Sequence, residues 1–139
     1  MRLDAILRVA AKFVLPFILT FGLYVQFHGD FGPGGGFQAG VIVAAAVFLH
    51  AITFGLDLTM RIVPPLIVEI MVPLGVLVFA GVGVAAMMTG LNFLDYSRLA
   101  HDQIHGQEWG VFLVEAGVLI TVSGTMIAIF YAVAGRDRR

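Results

Sequence analysis

The sequence predicts an all-α, four-helix integral membrane protein with both termini in the cytoplasm. Three observations carry this reading. Hydrophobic residues fill 60% of the 139 positions and charged residues only 12%, against about 25% charged in a soluble domain. The apolar residues fall into four runs, each able to supply the roughly 20 helical residues that cross ~30 Å of hydrocarbon. The basic residues collect on the segments that a four-span chain places on one side of the bilayer.

The first run, about 5–27, contains Arg8 and Lys12 and follows Arg2. A cleaved leader is not expected, because Lys12 sets the apolar stretch too far from Met1 and no small-x-small cleavage site follows. The second run, about 37–54, is the shortest, and the third, about 62–89, follows Arg61 and is long enough to tilt. The fourth, about 107–134, leads to Arg136, Arg138 and Arg139. The connection at 28–36 has no Lys or Arg, and that at 90–106 has only Arg98 between Asp95 and Asp102. No linker, repeat or low-complexity tract divides the chain, so 1–139 reads as a single transmembrane domain.

Composition also excludes function classes. A net charge of −1 lacks the clustered basic face that nucleic-acid binding needs. The absence of cysteine removes disulfides and thiolate metal sites. No nucleophile–base pair, metal-ligand cluster or nucleotide motif points to catalysis, and neither cofactor nor metal is expected. A bis-histidine haem needs two imidazoles at one depth; only His50 falls inside a span, while His28, His101 and His105 fall in outer connections.

The stretch "HGDFGPGGGFQAG" could be taken for a phosphate loop. Phe37-Gln38-Ala39 follows its glycines where a Walker loop carries Gly-Lys-Ser/Thr, and no strand precedes it. A tight turn explains the residues better. Pro33 fixes φ, and Gly34, Gly35 and Gly36 open dihedrals closed to other residues, so the chain leaves the membrane and re-enters at once.

This motif, running from His28 and Asp30 through Pro33 to Phe37, and "HGQEWGVFLVEAGVLITVSGTMIAIF" near the C-terminus are similar to the B subunit (MnhB-type domain) of multisubunit Mrp sodium/proton antiporters. The related subunit of membrane-bound hydrogenases carries the same domain. The likeness covers nearly the whole chain, and Asp30 stands where commoner B subunits have Asn. It implies an accessory, non-enzymatic subunit in the cell membrane, with other antiporter subunits as partners and sodium ions and protons as the ions the complex moves. A hydrogenase-type, redox-driven ion pump is the alternative parent complex, and a free-standing structural membrane protein is a third reading.

Glu69, Glu115 and His50 lie well inside the spans. Glu69 stands seven residues after Ile62, ~10 Å above the cytoplasmic end, and Glu115 eight residues after Gln107, ~12 Å below the outer face. Charge at such depth costs several kcal/mol unless paired or protonated. Both are candidates for proton- or cation-linked groups; a protonated glutamate bonded to a neighbouring helix is the plainer reading. His50 lies ~10 Å above the inner face, level with Glu69. A His50–Glu69 pair across spans two and three would satisfy both, as would a backbone carbonyl for His50 alone. Pro73 removes the donor to the Glu69 carbonyl, which leaves a kink and a second oxygen at that position.

The last span has two faces. At 100° per residue Gly110, Gly117, Thr121, Gly124 and Ala128 form one stripe of small residues, which admits a close neighbour. Glu108, Glu115, Val122 and Met126 fall nearly opposite. If the small stripe packs within the chain, Glu115 points away from it, and a partner subunit is expected to cover it.

Overall fold

The structure, a computed structural model, describes residues 2–29, 34–96 and 103–136. It contains α1 (Arg2–His28), α2 (Gly36–Phe54), α3 (Leu56–Ile62), α4 (Pro65–Met88) and α5 (Gln103–Ala134). There is no strand among the described residues. Four helices, α1, α2, α4 and α5, are long and apolar enough to cross a membrane. Asp30 and Pro33 lie outside the described residues.

The third segment differs from expectation at its start. The chain makes a separate short helix, α3, before the span, and the span begins at Pro65 instead of 62. Two residue types cause this. Gly55, at φ 99°, reverses the chain after α2 while its N–H bonds to the Ala51 carbonyl 3.0 Å away. Pro64 then holds Val63 out of the helical region, and Pro65 takes the first helical position, where its missing N–H costs nothing.

The helices pack in a row. α4 lies against α5, α5 against α2, and α2 against α1. The last helix in sequence is thus central, with α2 on one side and α4 on the other. Small residues set the close approaches. A Cβ on Gly75 would overlap Thr121 and the Gly117 carbonyl, and one on Gly124 would stand 2.9 Å from the Met71 Cβ. The expected small stripe of α5 therefore packs within the chain, against α4. On the α2 side, a Cβ on Gly40 would meet the Val122 Cβ at 2.9 Å and the Leu119 carbonyl at 3.0 Å.

Large apolar side chains on α1 and α4 point outward, Phe13 and Phe17 at 70% and 73% exposure among them. In water that surface would be untenable; in a bilayer it is the contact with lipid or with other chains. Towards one end a core of Ala44, Ala51, Leu56, Val68, Ile127 and Tyr131 joins α2, α3, α4 and α5. There the Tyr131 hydroxyl donates to the Val63 carbonyl at 2.9 Å, fixing the α3–α4 link to the end of α5. Arg8 lies beside Leu49, Ile52 and Thr53 at this same end. At the other end the 89–96 loop folds over the helices, Phe93 against Gly83 and Tyr96 against Gly110. Burial of Tyr96 pushes its phenol above the ordinary tyrosine value.

Candidate functional site

The glycine motif and Glu115 meet. Gly35 has φ 115° and ψ 179°, closed to ordinary side chains. Its N–H donates to the Val25 carbonyl at 3.1 Å, which ties the turn back to α1. Gly36 is there for approach, since a Cβ on it would overlap the Glu115 carbonyl oxygen. The carboxylate lies over the same turn: Cβ atoms built on Gly29 and Gly35 would each stand 3.0 Å from a Glu115 carboxylate oxygen. A Cβ on Gly34 would come 2.8 Å from the Val25 carbonyl. Each of these positions admits nothing larger than glycine without a shift.

This corrects the expected orientation of Glu115. The face opposite the small stripe is turned to α2 and to the α1–α2 turn, not away from the chain. A helix in the middle of a row has two packed faces, and α5 turns its second one to α2. The expected depth also changes. Gly36, the first residue of α2, abuts Glu115, and α2 with its 19 residues is just ~28 Å long. If α2 fills the hydrocarbon, Glu115 stands at its boundary, and α5 runs on for ~18 Å beyond.

Electrostatics favour the placement. α2 begins without a side-chain cap, so its first N–H groups lack intrahelical acceptors. The positive end of the helix dipole attracts a carboxylate placed there, an interaction worth about 0.3–1 kcal/mol and up to ~2 when partly buried. Glu115 belongs to α5 yet sits where a capping acid of α2 would. His28, half-buried, stacks on Tyr24 at 5.1 Å next to this turn. Phe37 points outward at 61% exposure and forms no part of the cradle.

Gln26 joins this region without a motif to mark it. It is 5% exposed, and neither amide atom has a hydrogen-bond partner among the described residues. It shares one face of α1 with Gly22, Val25 and Gly29, the face set against α2 and Glu115. The only signal in the sequence was a lone amide in the apolar stretch "LYVQF".

His50 and Glu69 are not brought together. α5 separates α2 from α4, and His50 bonds instead to Thr59 of α3, its Nδ1 lying 2.7 Å from the threonine Oγ1. Glu69 is exposed on the outer side of α4, four residues from the helix start, so ~6 Å from its end. That is shallower than a helix starting at 62 implied, and a carboxyl there can reach the interface. Pro73 does stand inside α4. Nearby, the Thr121 hydroxyl donates to the Val72 carbonyl at 3.2 Å, pinning α4 to α5. No group of three metal-ligating side chains occurs among the described residues.

Four helices able to span a membrane, outward apolar faces and a carboxylate folded into a glycine turn define a multi-pass membrane protein. The family is shown directly. A model described as "Domain related to MnhB subunit of Na+/H+ antiporter" matches residues 6–128, and the chain belongs to that family. It is 32% identical over 135 residues to a Staphylococcus haemolyticus protein named "Putative antiporter subunit mnhB2", with 95% of each chain covered. It is 31% identical over 137 residues to the protein of that name from Staphylococcus aureus strain Newman, again with 95% of each covered.

Proposed function

We propose that this chain is an accessory subunit of a multisubunit Na+/H+ antiporter in the cell membrane, and that Glu115 is its proton-linked group. Membership of the MnhB family, over nearly the whole length of its relatives, supports the first part. The relatives are named as antiporter subunits, and they lend nothing to a redox-driven parent complex. The role is that of a transporter subunit, not of an enzyme.

The observation that carries the second part is the Glu115 carboxylate against the outer turn. A charged carboxyl there holds the N-terminus of α2; a neutral one holds it less firmly. Loading a proton at this position therefore changes the grip of α5 on the α1–α2 hairpin. Glu69, exposed near the inner end of α4, is the carboxyl we assign to contact with another subunit, and His50 serves the inner end. Arg8, Arg61 and Arg136 support an inner, cytoplasmic end that holds both termini.

The test is Na+-dependent proton movement in vesicles carrying the complex. Glu115→Gln keeps the side chain's size and should lower the rate several-fold at unchanged complex yield. A wild-type rate in that variant would leave Glu115 with a packing role alone.

A further inference from the structure

A groove of ≈ 440 Å³ lies between the first half of α1 and the C-terminal part of α2, within the range of about 300–1,000 Å³ that ligand sites occupy. Its walls are graded in polarity along the helix axes. Asp4 and Arg8 of α1 and Thr53 of α2 line it at the end of the bundle, and the apolar Val14 and Leu49 line it further in. At 1.5 Å per residue Val14 lies ~9 Å deeper than Arg8, and Leu49 ~6 Å deeper than Thr53. Thr53 is one residue from the end of α2, a helix ~28 Å long. Its level is therefore the edge of the hydrocarbon, with headgroups on one side and acyl chains on the other. A groove polar at the edge and apolar below has the grading of an amphiphile.

The charges decide which one. Among the described residues neither the Arg8 guanidinium nor the Thr53 hydroxyl has a hydrogen-bond or ion-pair partner. The planar fork of an arginine suits a phosphate. Asp4 stands one turn, ~6 Å, nearer the start of α1 and within ~40° of the Arg8 direction, so it places an acceptor on the water side of that phosphate. Asp4 has another partner already, and a carboxylate has lone pairs enough to accept from a second donor. The C-terminus of α2, the negative end of its dipole, favours a cation at the same level. Lys12, one turn deeper than Arg8, is not part of the wall. A head that fits thus carries a phosphate with an N–H-bearing cation beyond it. A purely anionic head would set its charge against Asp4 and the end of α2, and a choline has no N–H to donate.

We propose that this groove binds a zwitterionic glycerophospholipid with a primary ammonium head, a phosphatidylethanolamine, in the leaflet on the side where α1 begins. The phosphate meets Arg8 and Thr53, the ammonium meets Asp4 and the end of α2, and one acyl chain lies along Val14 and Leu49. The site is at the opposite end of α2 from Glu115 and asks nothing of ion movement.

The full chain in detergent, incubated with one lipid at a time and read by native mass spectrometry, provides the test. Phosphatidylethanolamine should be retained about fivefold better than phosphatidylcholine or phosphatidylglycerol with the same acyl chains, the scale of one hydrogen bond. Arg8→Gln should lower retention of phosphatidylethanolamine and phosphatidylglycerol alike, whereas Asp4→Asn should lower that of phosphatidylethanolamine alone. Asp4→Arg combined with Arg8→Asp keeps the net charge and inverts the order, and should abolish the preference. Ala10→Trp, which fills the groove from the exposed side of α1, should reduce retention at an unchanged melting temperature, and Phe17→Trp, exposed but away from the groove, should not. Equal retention of the three lipids, a preference that survives the exchange of charges, or full retention in Ala10→Trp would each overturn the proposal. Phosphatidylglycerol held best would overturn it too, in favour of a plain anionic head.

Discussion

At the N-terminal end of α2, Gly34, Gly35 and Gly36 bring backbone directly against α1 and α5, and a carboxylate is folded into the contact. At its C-terminal end, a single glycine, Gly55, turns the chain, and hydrogen-bonded side chains do the rest: His50 to Thr59, Thr59 to Gly55, Tyr131 to Val63. One end is joined by the absence of side chains, the other by their presence. The difference should appear as a difference in tolerance. Backbone-to-backbone contact cannot absorb even a methyl group, whereas a side-chain network can lose a member and relax.

The largest effect is expected at the α1–α2 turn. Gly36→Val must push α2 off the Glu115 backbone and should cost about 3 kcal/mol or more, read as lost melting temperature and lost complex on native gels. Gly35→Val adds strain at φ 115° and should cost about 1–3 kcal/mol. Gln38→Ala, beside the same turn but exposed, is the control and should change little. Equal yields from all three would mean that the turn does not depend on its glycines.

A smaller effect is expected at the C-terminal end of α2. Thr59→Val removes the hydrogen-bond partner of His50 and should cost about 1–2 kcal/mol, with the fold retained. A loss matching that of Gly36→Val would erase the contrast between the two ends. The smallest belongs to Glu69→Gln. For the isolated chain in detergent it should stay within about 0.5 kcal/mol, because the carboxyl is exposed and near the helix end. A clear drop in the yield of the assembled complex alone would sharpen the picture, placing a partner chain against that side of α4.

The sequence made the four spans and the turn legible because hydropathy and glycine carry their physics locally. The small stripe of α5 was legible too, and it packs within the chain, on α4. Three features were not. The helix α3 was hidden between two apolar runs, since seven residues are too few to show a period. Matched depth suggested His50 and Glu69 as neighbours, but depth along the membrane normal says nothing about lateral order, and α5 stands between their helices. Glu115 was assigned to the correct face of α5 and the wrong neighbour. Periodicity tells which residues share a face, and only the packing order tells what that face meets.

Glu115 lying against the chain's own α1–α2 turn is the central contact. The chain contains no cysteine, so a pair introduced as Gly29→Cys and Glu115→Cys reports on that contact alone. Oxidation of the chain within its complex should give an intrachain disulfide, recognised by linked peptides after proteolysis, and a control pair of Gly29→Cys with Leu113→Cys should not form one. A cysteine at 115 that instead crosslinks to another subunit, or reacts freely with a lipid-phase maleimide while Gly29→Cys stays unpaired, would contradict the account.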